Sequence, residues 1–288
     1  MRYLDENGTL ITVYTPNERQ GGLVWGVRHS WSELRQSRHI IYRLFWRDFL
    51  AQFRQKILGY LWALLGPLMS VLSFLFLYAM GVLQPGENAM PYTLYVMLGS
   101  NIWACLPGAM GAVSNGLQAQ ADLIMRTRVP KLALAISALS AFLYSMLISM
   151  VTTLVVFLGH GIWPSAWFLA YPLLVLPMLL LGTAAGLILS VLGSIARDLT
   201  PMATQLLNII MYITPVVYVQ SSIVNPWLKA CVEWNPLTYL VDVPRALIFT
   251  GHSPALGGYL LVSAGTLACL VVGLRVFYLL EDLVAERL

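Results

Sequence analysis

The sequence predicts an all-α polytopic membrane protein: six transmembrane helices, an N-terminal amphipathic helix on the membrane surface, and short helices at the outer face. Three observations carry this expectation. Hydrophobic residues make up 58% of the 288-residue chain and charged residues 10%, where a soluble domain carries about 25% charged. From Leu132 to Ala196 the chain runs sixty-five residues without an Asp, Glu, Lys or Arg. About twenty apolar residues cross the hydrocarbon core of a bilayer, so this stretch holds two crossings joined by a turn at Gly159–Ser165. Finally, the lysines and arginines divide very unequally between the two ends of the expected helices.

Residues 1–30 form a polar N-terminal extension with no basic-then-apolar leader and cleavage site, so insertion is expected to use an uncleaved internal helix. Residues 31–56 are too charged to cross a membrane but strongly periodic. Tyr42, Phe45, Trp46, Phe49 and Phe53 make one apolar stripe, and Arg43, Arg47 and Arg54 lie on another face. That pattern belongs to a helix lying in the interface, with aromatics toward acyl chains and arginines toward anionic headgroups. Two roles stay open for it: an anchor that orients the first span, or a surface whose arginines also meet a phosphate-bearing lipid substrate.

Charge-free runs within the domain 57–288 then place the six spans at about Ile57–Leu83, Thr93–Ala121, Leu132–Leu158, Trp167–Ile195, Leu199–Tyr218 and Ala255–Leu274. With these spans, fifteen of the seventeen lysines and arginines fall on one side, leaving only Lys229 and Arg245 on the other. The positive-inside rule puts both termini in the cytoplasm. The net charge of +4 therefore follows from topology and calls for no nucleic-acid partner.

Two connections are more than linkers. The stretch 118–131 is short, mixed in charge and helix-compatible up to Val129, with apolar Leu123 and Ile124 beside Asp122, Arg126 and Arg128 and a break at Pro130. It suits either a rigid cytoplasmic elbow that docks a partner or a solvated turn. The loop 219–254 carries Trp227, Trp234, Tyr239, Phe249 and four prolines, and divides into amphipathic pieces near Trp227–Trp234 and Leu237–Ile248. Such aromatic-rich pieces sit in the membrane interface, as a gate at a pore mouth or simply resting on the outer leaflet.

Absences narrow the function. The three lysines precede Ile, Leu and Ala, so no Gly-Lys-Ser/Thr phosphate loop exists. The spans carry no buried carboxylate series of the kind an ion-coupled transporter uses; Asp198 stands beside Arg197 at a helix end. The four histidines are scattered, and Cys105, Cys231 and Cys269 are too few and too far apart for a metal or disulfide framework. What remains is a pathway whose energy comes from a partner.

The run Trp46–Arg54 followed by Leu58-Gly-Tyr-Leu-Trp-Ala-Leu-Leu-Gly-Pro67 resembles the entry segment of ABC transporter permeases of the polysaccharide-export type. The resemblance continues at Gly99-Ser-Asn-Ile-Trp103, Arg128-Val-Pro130, Arg197-Asp198 and Thr214-Pro-Val-Val-Tyr218, and closes at Asn235-Pro236. It implies the transmembrane subunit of an ATP-driven exporter in a bacterial inner (plasma) membrane, moving a lipid-linked polysaccharide of the O-antigen, capsule or teichoic-acid kind, as in lipopolysaccharide biosynthesis. It further implies a homodimer, a pair of cytoplasmic ABC ATPase subunits docked on the elbow residues Asp122, Leu123, Ile124, Arg126, Arg128 and Pro130, and an outer gate that includes Trp227, Trp234, Asn235 and Pro236. The chain is then no enzyme and binds no cofactor of its own; ATP belongs to the partner.

Aromatic rings stack on the C–H faces of sugars without demanding one sequence. The spans supply Trp62, Phe74, Phe76, Tyr78, Tyr95, Trp103, Tyr144, Tyr212 and Tyr218, and of these Trp62, Phe74, Tyr78, Trp103, Tyr212 and Tyr218 are the foremost candidates for the path. Packing and interface belts are the ordinary use of such residues. Arg47, Arg54 and Lys56 are the candidates for the lipid diphosphate. Two rival readings remain: an ABC permease for a drug or small lipid, and a membrane glycosyl- or acyltransferase, which would lack its catalytic cluster here.

Overall fold

The computed structural model describes residues 2–4, 10–12, 32, 35–54, 59–82, 90–120, 130–196 and 198–287. Strands β1 (Arg2–Leu4) and β2 (Leu10–Thr12) pair antiparallel, a small feature that the sequence pattern did not announce. All other described elements are helical.

Helix α1 (Arg38–Arg54) falls within the stretch 31–56 from which an interface helix was expected. It leads into α2 (Gly59–Ala79) and α3 (Tyr92–Ala119). After the connection come α4 (Lys131–Ser137) and α5 (Leu139–Gly159), which continue one another through Ala138. A 3-10 turn at Ala166–Ala170, the short α6 (Tyr171–Leu174) and α7 (Leu176–Ile195) form the next crossing. Its steps coincide with Pro172 and Pro177, each seated in the first turn of its helix, where a missing N–H costs nothing. Then follow α8 (Leu199–Ile213), α9 (Pro226–Trp234), α10 (Pro236–Thr250) and α11 (Leu256–Arg287).

Among the described residues, four segments are long and apolar enough to cross a bilayer: 92–119, 131–159, 166–193 and 256–280. Residues 65–79 and 199–213 are shorter apolar helices. The chain is thus a helical membrane protein. Two expected spans are redrawn: the sixth, expected to end at Leu274, continues as helix to Arg287, and the fifth, expected to reach Tyr218, ends at Ile213. Pro215 explains the stop, because it forces the preceding Thr214 out of helical geometry, to φ −96 and ψ 137.

Helix α3 is the axis of the fold, with most of its length buried against α5 and α7. Its contact with α7 is very close because α7 offers Gly182-Thr-Ala-Ala-Gly186 there. A Cβ at Gly182 would collide with Leu106 O, and one at Gly186 would lie 2.8 Å from Met110 O. Without a hydrophobic driving force in lipid, small residues that let backbones approach are the main means of joining helices. Helix α11 covers the other side of α7 in the same way, with Gly273 against Ala184. One buried polar pair ties α3 to α5: Asn101 Nδ2 donates to Thr153 Oγ1 at 2.9 Å.

The two ends of the bundle differ. At one end lie the last turn of α3, the start of α4 and the packing of α1 on α4 and α5, where Phe49 meets Tyr144 edge-to-face at 5.5 Å. The apolar stripe of α1 is accordingly divided, with Phe45 and Phe49 half-buried and Tyr42 and Trp46 exposed. At the opposite end, here termed the loop end, α9 and α10 fold over the bundle. Trp163, Trp227 and Trp234 are each at least 80% exposed there, as indoles at a membrane–water boundary are.

Candidate functional site

The structure concentrates its buried polar chemistry at the loop end, where α8 breaks off. Residues 214–219 are non-helical, so their carbonyl groups lose the partners that a helix would give them. At membrane depth such backbone survives only where protein satisfies it. Here side chains from two other helices do so. Tyr92 on α3 donates its hydroxyl to Val217 O at 3.0 Å, and Tyr95, one turn later, donates to Tyr218 O at 2.9 Å. Arg245 on α10 donates Nη2 to both Pro215 O and Val216 O at 3.0 Å.

Arg245 is 3% exposed, and a buried cation demands full compensation. Asp242, one turn earlier, accepts from Nη1 at 3.1 Å. The guanidinium also lies 3.8 Å above the centre of the Tyr95 ring, a cation–π contact that costs no desolvation of a second charge. Burial pushes the Asp242 carboxyl above its ordinary range, and the adjacent guanidinium partly offsets this. Gly99, a turn beyond Tyr95, leaves the space: a Cβ there would collide with Arg245 Nη2 and Val216 O.

The loop helices are fixed to the same junction. Both α9 and α10 begin with Asn-Pro. Asn225 and Asn235 cap their first turns by accepting from Trp227 N at 2.9 Å and Leu237 N at 3.0 Å, and proline follows at the position that tolerates it. Asn235 also donates to Thr214 Oγ1 at 2.9 Å, tying the start of α10 to the end of α8. Gly251, at φ +85, closes α10 in the left-handed conformation, its N–H reaching Leu247 O.

Helix α8 itself has no buried residue. It exposes two stripes. Met202, Leu206, Ile209 and Ile213 form an apolar one. Gln205, Asn208 and Tyr212 form a polar one in the middle of an otherwise apolar helix, with Asn208 Nδ2 donating to Gln205 Oε1 at 3.3 Å. Amides in that place are expensive against lipid and suit a watered path or a partner surface.

The candidates drawn from sequence distribute as follows. Tyr78, Tyr212 and Tyr218 come together around the junction: Tyr78 packs on Tyr92 with ring centres 4.5 Å apart, and Tyr218 donates its hydroxyl to Tyr212 O at 3.1 Å. Phe74 is half-buried against the core and Trp103, 3% exposed, lies within it, so its ring packs inside the protomer. Arg47 is half-exposed and paired with its neighbour Asp48 at 2.7 Å. Of the gate candidates, Trp227 and Trp234 are solvent-facing, Pro236 is exposed, and Asn235 makes the two contacts above. Pro130 caps α4. Lys56, Asp122, Leu123, Ile124, Arg126 and Arg128, with the side chains of Arg54 and Trp62, lie outside the described residues.

Sequence reasoning passed over Tyr92, Arg245, Gln205 and Asn208. In the sequence Arg245 counts only as one of two basic residues on the side poor in lysine and arginine. Its isolation within an apolar loop, one helical turn after Asp242, was the available signal. For Gln205 and Asn208 the signal was their i,i+3 spacing inside a span.

Residues 40–249 match the family model of the ABC-2 type transporter. The chain belongs to that family. The match runs from α1 to the last turn of α10 and so includes the whole junction. Among curated proteins, the O-antigen export system permease protein RfbA of Myxococcus xanthus is 26% identical over 223 residues, covering 77% of this chain and 85% of that protein. A Klebsiella pneumoniae protein of the same name is 23% identical over 243 residues, covering 84% and 92%. Members of the ABC-2 family are transporter membrane subunits, and the family implies an ABC ATPase as partner.

Proposed function

We propose that this chain is the transmembrane subunit of an ATP-driven exporter that moves a lipid-linked polysaccharide, O-antigen-like or capsule-like, out of the cytoplasm across a bacterial inner membrane. The observation that carries the reading is the polar stripe Gln205–Asn208–Tyr212 on α8, in a chain whose curated relatives are O-antigen export permeases. Uncharged amide and phenol groups suit the hydroxyl edges and C–H faces of a neutral glycan and place no fixed charge in its way.

In this reading six spans cross the membrane, α2 and α8 included, with both termini cytoplasmic and the loop end facing outward. Two copies form the path, and a pair of cytoplasmic ATPase subunits docks on the 118–131 elbow. Helix α1 lies in the cytoplasmic interface, and its arginines, with Lys56, receive the lipid diphosphate. Helices α9 and α10 form the outer gate, hinged on the Thr214–Val219 break. The stages separate cleanly: the partner supplies energy, while this chain supplies a surface that binds no sugar tightly enough to stop it. A permease for a drug or small lipid would need no amide row along the path.

The test replaces Gln205 and Asn208 by Leu. Helices in contact with lipid tolerate leucine, so insertion and association with the ATPase should be unchanged while glycan reaching the cell surface falls about tenfold or more. Full export by an inserted double variant would defeat the assignment of this stripe to the glycan path.

A further inference from the structure

Beside the junction lies a cavity of about 310 Å³, bounded by Tyr95 of α3, Gln220 of the 3-10 turn after α8, and Asp242, Arg245 and Phe249 of α10. It is at the small end of the range for small-molecule sites, enough for a single ring and not for a chain folded on itself. We propose that this cavity is a subsite for one neutral sugar ring, held as it emerges at the loop end; the proposal deepens the glycan-export reading above and rests on it.

The chemistry selects the ligand class. Arg245 and Asp242 are adjacent opposite charges, so the cavity wall carries a dipole with no net charge. The guanidinium is not open as a fork for phosphate. Its Nη1 is taken by Asp242, its Nη2 by two carbonyls, and its face by Tyr95. Its Nε has no partner among the described residues and is itself sealed from solvent. Three of the five guanidinium N–H groups are thus spent on protein partners, and an anion entering here would meet the Asp242 carboxylate beside them.

What faces the cavity with capacity to spare suits hydroxyl groups. The Asp242 side chain is 35% exposed and gives only Oδ1 to Arg245, which leaves Oδ2 to accept from a hydroxyl. The Gln220 carboxamide can donate and accept at once. The Phe249 ring and Met90 also line the cavity and offer an apolar surface of the kind that covers the C–H face of a pyranose. Arg245 is a positioning residue in this scheme: it orients Asp242 and fixes the 214–219 backbone that carries Gln220.

The experiment uses the full chain in lipid nanodiscs and saturation-transfer NMR. The probes are the methyl pyranosides of glucose, galactose, mannose and rhamnose, with inorganic phosphate as the charged comparison. Saturation should pass to ring protons of at least one neutral glycoside. Phe249→Ala and Gln220→Ala, which remove cavity wall without touching the Arg245 network, should each weaken that glycoside about tenfold, and Asp242→Asn by as much or more. Absence of any glycoside signal, signal unchanged in both Phe249→Ala and Gln220→Ala, or binding of phosphate alone would each overturn the proposal. Surface glycan is measured alongside in cells lacking the chain. Undiminished surface glycan there would sink the export reading, whereas a glycan-deficient phenotype with no glycoside binding would sink only the subsite.

Discussion

Without the Arg245 side chain, the carbonyls of Pro215 and Val216 lose their common donor inside the protein, and Asp242 loses its counter-charge. Each orphaned buried group costs about 1–3 kcal/mol, so Arg245→Met should lower thermal stability in detergent markedly, by the equivalent of about 3 kcal/mol. Arg245→Lys should not restore it, because one ammonium cannot reach two carbonyls and a carboxylate while lying flat on Tyr95. Gly99→Ala should act in the same direction by displacing the guanidinium. A melting curve for Arg245→Lys that overlays the unmodified protein would show that the junction does not depend on the fork. Residue-scale features such as these were hardly legible in the sequence. A lone arginine in an apolar loop announces that it needs partners, but the tyrosine and two carbonyls it meets lie 29 to 150 positions away along the chain and are brought together only by packing.

Elements were far more legible. Charge-free runs placed the starts of the long helices within a few residues, although α11 runs on to Arg287, well beyond the expected Leu274, and the Trp–Pro–aromatic composition of 219–254 placed α9 and α10, because hydropathy and Asn-Pro caps are local signals. What escaped was the end of α8, since apolar residues continue past Ile213 and only the Pro215 geometry stops the helix. The seam of α3 and α7 rests on Gly182-x-x-x-Gly186, a spacing that sequence reasoning passed over and whose partner helix only packing defines. That seam carries a sharp prediction. Gly186→Val must push apart backbones that already approach to contact, and should cost about 1–3 kcal/mol or more as overpacking does. Gly111→Ala, on the neighbouring helix with nothing within 4 Å, should be neutral. Equal stability of the two variants, measured by thermal unfolding, would contradict the close-packed seam. The elbow, whose core lies outside the described residues, is tested by function: Leu123→Glu with Ile124→Lys should abolish co-purification of the ATPase while the spans remain inserted. Retention of the ATPase by that double variant would remove the docking assignment.

For the molecule as a whole, the division of labour is set by what each part can hold. The bundle is joined by small residues and a few buried hydrogen bonds, and its described helices carry little charge between the two ends, which suits the neutral glycan of the proposed reading. In the proposed reading the energy source is the partner ATPase, and the isolated chain is expected to be inactive toward ATP. The most direct test places the purified chain in proteoliposomes with its ATPase partner, loads lipid-linked polysaccharide, and follows with a membrane-impermeant lectin how much glycan reaches the face opposite the ATPase. Glycan should appear there only with both subunits and hydrolysable ATP present. Transfer by this chain alone without nucleotide, or ATP-driven movement of a small amphiphile with none of the glycan, would contradict the account.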